Sequence, residues 1–156
     1  MKKLTIISAL LCTVLTPAFA GTTVTVTHGK TPDPTFLDLG AEGPSVGDMR
    51  IFEFGGQTAE GEAVVLDFVM TTTGIPDGAE VENRMTTAVF SFANGANDRV
   101  LVEGIGQYPR AGSTVKIDGA LERAIVGGTG RFAGARGTVL STHLSDGTWQ
   151  HVLTIE

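Results

Sequence analysis

Cysteine is almost absent from this chain of 156 residues, since Cys12 is the only one. It lies in the apolar N-terminal segment, so the rest of the chain has no thiol with which to form a disulfide. Small exported proteins often depend on disulfides for their stability. This chain must instead be stabilised by its buried core, and a single domain of this length can bury most of its apolar surface.

Basic residues are also scarce. The sequence has 11 lysines and arginines against 17 aspartates and glutamates, which gives a net charge of −6. Loss of Lys2 and Lys3 with the N-terminal segment would make the net charge −8. Nucleic acids and anionic membrane surfaces attract basic patches. The charge balance therefore disfavours both a nucleic acid and a membrane as the partner.

The first 20 residues have the pattern of a secretory signal peptide. Lys2 and Lys3 precede an apolar run at residues 4–15, which is too short to cross a bilayer. Small residues at Ala18 and Ala20 form a cleavage site. We therefore predict that the chain is cleaved after Ala20 and that residues 21–156 form a single secreted or periplasmic domain.

Helical periodicity is missing from the remaining chain, apart from one helical turn predicted at residues 79–85. Repeats and low-complexity tracts are absent as well. Short alternating or β-branched segments, separated by glycine, asparagine and aspartate clusters, predict an all-β sandwich or barrel instead. The predicted strands cover residues 22–27, 36–39, 49–54, 62–73, 86–92, 100–105, 114–117, 121–126, 138–143 and 149–155.

The glycine-rich block at residues 124–139 has two interpretations. Gly128, Gly130 and Gly134 approximate the glycine loop that holds a dinucleotide pyrophosphate. However, the spacing is one residue too long, and the 22 residues that follow contain no room for a crossover helix and further strands. The block also has no lysine for a phosphate-binding P-loop. A tight turn between two strands at a barrel corner is the favoured interpretation.

The same block resembles the signature of the allene oxide cyclase and dirigent barrel superfamily. A second match is Gly-Pro-Ser-Val-Gly-Asp at residues 43–48, within a longer segment at 36–52, which is similar to bacterial members and to plant dirigent proteins. The two segments occur in the expected order. With the strand pattern between them, the resemblance covers most of residues 22–156.

This resemblance implies an eight-stranded antiparallel β-barrel with an apolar cavity, often assembled as a homotrimer. Plant cyclase members convert an allene oxide to a cyclopentenone, and plant dirigent members hold phenoxyl radicals so that they couple with one stereochemistry. Neither group needs a metal or an organic cofactor. The resemblance therefore implies that this chain binds a small apolar organic molecule without a cofactor, in a barrel just wide enough for one ligand.

The residues of the cyclases are only partly present. The cyclase asparagine falls on Phe54, and the cyclase cysteine has no counterpart in residues 21–156. Glu53 falls where dirigent proteins carry the first of two acidic residues, and the second is missing. These departures argue against true allene oxide cyclase activity.

Three carboxylates are the candidate catalytic groups. Glu53 lies in an otherwise apolar strand, and an inward side chain would have a raised pKa suited to acid–base catalysis. Asp67 interrupts the apolar strand around Leu66 and Phe68, and alternation places it on the opposite face from both. Asp38 is a pocket group or a loop anchor. For Glu53 and Asp67, the alternative is a solvated outer face, because carboxylates are rarely buried.

Four further residues are candidate ligand-binding groups. Arg84 and Arg123 would orient an anionic or carbonyl ligand, or else lie solvated at strand edges. Tyr108 would either cap a barrel mouth or pack on Pro109, and Glu103 falls where cyclases carry a polar residue. The three histidines, of which His151 shares a strand face with Trp149, do not show the spacing of a zinc site.

Three functions remain open at this level. The first is a cofactor-free isomerase or cyclase, which requires inward carboxylates. The second is a binding or stereo-directing scaffold without acid–base groups of its own. The third is a structural envelope protein, which requires a barrel filled with side chains.

Overall fold

The computed structural model describes residues 21–110 and 112–156, so the predicted signal peptide lies outside the described residues. The described chain is almost entirely β-structure, with a single one-turn 3₁₀ helix at Gly130–Phe132. None of the described residues forms a helix long and apolar enough to span a bilayer. The strands are β1 (Thr22–His28), β2 (Thr35–Leu37), β3 (Met49–Thr58), β4 (Ala63–Gly74), β5 (Val81–Phe92), β6 (Asp98–Pro109), β7 (Ala120–Thr129), β8 (Gly137–His143) and β9 (Trp149–Ile155).

Eight of these strands close into an antiparallel barrel. The order around the barrel is β1-β9-β8-β7-β6-β5-β4-β3, and pairing of β1 with β3 completes the ring. The remaining strand, β2, lies outside the ring and pairs with the first three residues of β3, residues 49–51. The predicted eight-stranded antiparallel β-barrel is therefore confirmed as the fold, with one strand outside the ring.

The seam that closes the barrel is short. Strands β1 and β3 pair only through Val26–Thr58 and Thr27–Gln57, whereas β1 follows β9 along its whole length. A Cβ at Gly56 would lie 2.9 Å from the carbonyl oxygen of Thr27, so the close approach of the two strands requires glycine there. Between Gln57, which pairs with β1, and Ile51, which pairs with β2, this edge of β3 has no strand partner among the described residues.

Strict alternation assigns one face of each strand to the interior. In β5, for example, Glu82, Arg84 and Thr86 are buried toward one end of the barrel, and Phe90 and Phe92 are buried toward the other. The interior is therefore charged at one end and apolar at the other. The candidate site lies between these two zones.

The two segments that carry the family resemblance have structural roles. The buried Asp48 carboxylate accepts hydrogen bonds from the backbone N–H groups of Leu39 and Ser45, at 3.0 and 2.8 Å, and so fixes the loop before β3. In the glycine-rich block, a Cβ at Gly128 would collide with backbone carbonyls, and Gly137 has a positive φ of +132° against the backbone of Thr154. The block is thus a barrel corner, as predicted.

Two predicted elements are wrong. Residues 114–117 form a loop between β6 and β7 and pair with no strand, and Val115 enters the core from this loop. The helical turn predicted at residues 79–85 is largely the start of β5, where Glu82 and Arg84 point inward together. The strand predicted at 49–54 continues through two glycines to Thr58.

Candidate functional site

A small cavity lies in the barrel interior beneath two loops. It leaves about 30 Å³ open to water-sized molecules, which is room for one or two waters. Thr31 on one loop, and Thr114 and Val115 on another, cover the cavity, so a larger ligand requires these loops or the underlying rings to move. The cavity walls are mainly aromatic and aliphatic, and they are formed by Phe52, Phe54, Phe68, Met70, Leu121 and Trp149. Four polar side chains complete these walls: Tyr108, Arg123, Ser141 and His151.

The first polar feature of this wall is the pair Tyr108–Arg123. Both side chains are buried, with relative exposures of 1% and 5%, and Nη2 of Arg123 donates a short hydrogen bond to the Tyr108 hydroxyl. The Nε atom of Arg123 has no hydrogen-bond partner within the described ranges. No carboxylate among residues 21–110 and 112–156 forms a salt bridge with Arg123. The cavity wall therefore contains a buried cation that has no carboxylate partner and one unsatisfied donor.

The second polar feature is a chain of hydrogen bonds through two histidines. Nε2 of His28 lies 3.1 Å from Nε2 of His151, and Nδ1 of His151 lies 2.8 Å from the Ser141 hydroxyl. All three side chains are buried. Aromatic rings surround this chain of hydrogen bonds. The ring centroid of Phe54 lies 4.4 Å from that of His28, and the ring centroid of Phe90 lies 5.4 Å from that of His151.

Both imidazoles are neutral at neutral pH. Burial lowers the pKa of His28 from 6.5 to about 4, although a hydrogen bond to the backbone of Gly29 opposes this change. Burial lowers the pKa of His151 further, to about 3, and the nearby His28 and Arg123 add to the effect. Neutral rings can each donate from one nitrogen and accept at the other, which suits them to a continuous hydrogen-bonded chain.

A separate ionic cluster fills the charged end of the barrel. Glu82 forms salt bridges of 3.1 Å with Arg50 and 2.5 Å with Arg84, and it accepts a hydrogen bond from Thr72. Arg84 also donates to the carbonyls of Pro109, Gly112 and Ser113, so the end of β6 and the loop after it supply its remaining acceptors. We call the group Arg50, Thr72, Glu82 and Arg84 the ionic plug.

The structure separates the predicted ligand-binding residues. Tyr108 and Arg123 line the cavity together, although Tyr108 lies in the wall and not at a mouth. Arg84 is fully buried outside the cavity lining, and its donors are used by protein acceptors, so its predicted contact with a ligand is not supported. Glu103 is exposed on the outer face of β6, where it does not meet the cavity.

The predicted catalytic carboxylates all lie outside the barrel. Glu53 is exposed and Asp67 is partly exposed, and the two are paired directly across β3 and β4 on the outer face. Asp38 is exposed in the loop after β2 and accepts a long hydrogen bond from the backbone of Gly43. An acid–base role inside the barrel requires an inward side chain, and the alternation of β3 and β4 turns Glu53 and Asp67 outward.

The sequence reasoning missed His28, His151 and Ser141. Alternation offered a signal for His28, which shares a strand face with the inward Val24 and Val26. His151 shares a face with the buried Trp149, as expected from the sequence. The contact between His28 and His151 joins β1 to β9, and it depends on a register that the sequence alone does not specify.

Two imidazoles are an incomplete ligand set for a transition metal. No group of three or more histidine, cysteine, aspartate or glutamate side chains within the described part of the chain is placed to hold a metal ion. The polar side chains of the cavity can donate and accept hydrogen bonds.

Comparisons with known proteins support the fold. No family model matches the sequence, and no curated protein matches it. A solved structure of a pyocyanin demethylase matches with a TM-score of 0.63 and 16% identity, covering 86% of this chain and 98% of that chain. Two pterocarpan synthase dirigent proteins, GePTS1 and PsPTS1, match with TM-scores of 0.54 and 0.52 and identities of 15% and 18%, covering 94% and 89% of this chain and 96% and 94% of theirs.

Proposed function

The barrel shares its fold with dirigent proteins, and from its interior we propose that it binds a small, largely apolar organic molecule carrying an acidic oxygen, such as a phenol or an enol. The observation that carries this proposal is the buried Arg123 guanidinium, which has a free Nε donor and no carboxylate partner among the described residues. A buried charge is normally paired or hydrogen-bonded throughout. A ligand oxyanion would complete the set.

The surrounding wall fits the rest of such a molecule. Phe54, Phe68 and Trp149 line the cavity and offer aromatic faces and edges, which favour a flat ring. The cavity without ligand is nearly filled, so binding requires the loops that carry Thr31 and Val115 to move outward. Ligand-sized sites usually offer roughly 300–1,000 Å³. We therefore expect binding to be accompanied by a measurable change in these loops.

Two modes of action follow from this binding. In the first, the barrel is a scaffold that holds the ligand in one orientation, and the resemblance to two dirigent structures favours this mode. In the second, it is a cofactor-free isomerase or cyclase that moves a proton on the bound ligand. The polar groups available for the second mode are Tyr108, Arg123, Ser141 and His151, and not the outward carboxylates.

Binding is best tested with para-nitrophenol, whose ionised form absorbs visible light. Trp149, the only tryptophan, lines the cavity, so quenching of its fluorescence reports occupancy. We expect the bound phenol to ionise at lower pH than the free phenol, because Arg123 stabilises the phenolate. Arg123→Met should weaken binding of the phenolate about 10- to 100-fold, as expected for loss of a charge-assisted hydrogen bond.

Arg99→Met is the matched control, because Arg99 is an exposed arginine of β6. It should bind para-nitrophenol like the wild type. If neither para-nitrophenol nor other phenols quench Trp149, and protein purified from its own host retains no organic molecule in native mass spectrometry, the barrel is a structural protein and the binding proposal is wrong.

Export and assembly are also proposed. Export follows from the signal-peptide pattern of residues 1–20, and N-terminal sequencing of the mature protein should begin at Gly21. Assembly as a homotrimer would cover apolar side chains on the outer face of β3–β6, where Ile51 pairs with Val69 and Met85 pairs with Ile105. Ile105→Glu should reduce the mass measured by light scattering, whereas Val46→Glu, at an equally exposed loop position, should not.

A further inference from the structure

The two buried histidines connect two separate spaces. His151 and Ser141 line the interior cavity, whereas His28 lines an open cleft on the outside of the barrel. The cleft exists because β1 and β3 pair at only two positions, and because Gly55 and Gly56 place no side chain beside it. The contact between Nε2 of His28 and Nε2 of His151 is therefore a bridge between solvent and cavity.

The hydrogen bonds fit one direction of proton movement. In a continuous chain, one of the two Nε2 atoms donates and the other accepts. When Nε2 of His151 carries the proton, its Nδ1 accepts from the Ser141 hydroxyl, and Nε2 of His28 accepts from His151, so that the proton of His28 lies on Nδ1.

We propose that Ser141, His151 and His28 form a proton relay that exchanges protons between a ligand in the cavity and solvent in the outer cleft. The proposal rests on the function proposed above for the cavity. A ligand O–H gives its proton to Oγ of Ser141, while the Ser141 proton passes to Nδ1 of His151. The Nε2 proton of His151 passes to Nε2 of His28, and the Nδ1 proton of His28 leaves to water. Each protein group stays neutral, and the ligand becomes an oxyanion.

Arg123 is placed to hold that oxyanion. On the paired strands β7 and β8, Arg123 lies opposite Val139, and Ser141 lies opposite Leu121. Arg123 and Ser141 are thus diagonal neighbours on the interior face, a relation that spans roughly 7–8 Å. One small ligand can contact a side chain from each position. The positive charge of Arg123 also disfavours a charged His151, which keeps the relay neutral.

Packing alone does not account for this arrangement. The space around the rings is apolar and aromatic, and burying polar groups there is unfavourable unless every hydrogen bond is made. A third histidine, His143, stacks on Trp149 at 4.5 Å and bonds to the carbonyl of Val115, but it lies outside both the cavity lining and the relay. His143→Phe is therefore a matched control for loss of a histidine.

The first test needs no ligand. Long-range ¹H–¹⁵N NMR spectra of the full mature chain should show a proton on Nε2 of His151 and on Nδ1 of His28. The ring proton of His151 should exchange with water much faster than the barrel unfolds, and His28→Phe should slow that exchange about 10-fold or more, whereas His143→Phe should not. The opposite tautomers, or exchange only through global unfolding, would overturn the relay.

The second test uses bound para-nitrophenol after a rapid change of pH. Ser141→Ala and His28→Phe should slow ionisation of the bound phenol about 10-fold or more. Equal rates in wild type and both variants would overturn the relay while leaving the binding proposal intact. Failure of the wild type to bind para-nitrophenol would instead count against the binding proposal, and the NMR test would still decide the relay.

Discussion

Two polar regions share the interior of this barrel, and they differ in whether their charges have a partner of opposite sign. In the ionic plug, Arg84 bonds to Glu82 and to three backbone carbonyls at the end of β6 and in the loop that follows it. In the cavity wall, Arg123 bonds only to Tyr108 among the described residues and keeps a free Nε. Both arginines are buried, so burial alone does not distinguish a structural arginine from a ligand-binding one.

Tyr108 lies between the two regions and contacts both. Its ring lies 4.7 Å from the guanidinium carbon of Arg84, and its hydroxyl accepts the hydrogen bond from Arg123. The plug thus fixes the position of the cavity's hydrogen-bonding groups while using its own charges internally. Oε2 of Glu82 has no hydrogen-bond partner among the described residues, so each region contains one unsatisfied atom. The comparison teaches that paired charges hold this end of the barrel and that the cation without an anionic partner is the one available to a ligand.

The largest expected effect comes from removing the only carboxylate of the plug. Glu82→Gln would leave Arg50 and Arg84 buried without an anionic partner. Loss of one member of a buried ion pair costs about 3–5 kcal/mol of unfolding free energy. Chemical denaturation followed by circular dichroism would measure the loss, and Glu80→Gln, at an exposed position just before β5, should leave stability unchanged. Equal stability of both variants would show that the plug does not hold the barrel.

The next prediction compares how much stability is lost when each of the two buried arginines is replaced. Arg84→Met would leave the Glu82 carboxylate paired only with Arg50 and would leave three backbone carbonyls without their donor, so we expect a loss of several kcal/mol, about 3 or more. Arg123→Met leaves no carboxylate unpaired, and we expect its stability to lie within about 1 kcal/mol of the wild type, because a buried charge is replaced by an apolar side chain. Thermal and chemical unfolding of the two variants would check this. A large loss in Arg123→Met would remove the distinction between the two regions.

A smaller effect concerns the pH dependence of stability. Folding lowers the pKa of His28 to about 4 and that of His151 to about 3, so the unfolded chain binds more protons below about 6.5. The two histidines therefore cost no stability above that pH, and they reduce stability progressively as the pH falls toward 4 and then 3. These pKa shifts set the range to be measured, from pH 7 to pH 4. Over this range, the unfolding free energy should fall less steeply with decreasing pH in the double variant His28→Phe and His151→Leu than in the wild type. An unchanged slope would mean that the rings are not buried as neutral groups.

The sequence predicted the barrel more completely than the site, for a physical reason. Alternation and glycine turns are local, so strands, corners and most inward positions follow from short segments. The role of Arg84 depends on a distant loop, where Gly112 accepts its hydrogen bond, and that of Arg123 depends on Tyr108 of another strand; these contacts leave no local pattern. The alternation of β1 predicts an inward side chain for His28, but its contact with His151 depends on the register in which β1 pairs with β9.

The smallest effect concerns the outward carboxylates, which the sequence favoured as catalytic groups. Glu53 lies directly opposite Asp67 on the outer face, and like charges at such cross-strand positions are mildly destabilising. Glu53→Gln should therefore raise the unfolding free energy slightly, by about 0.5 kcal/mol, and should leave binding of para-nitrophenol unchanged. Glu103→Gln is the matched control, because Glu103 faces Thr87 and Ala124 and has no opposing charge, so its stability should not change. If Glu53→Gln instead abolished an activity found for the wild type while the fold stayed intact, chemistry would lie on the outer face, and the cavity wall would lose its place as the functional region.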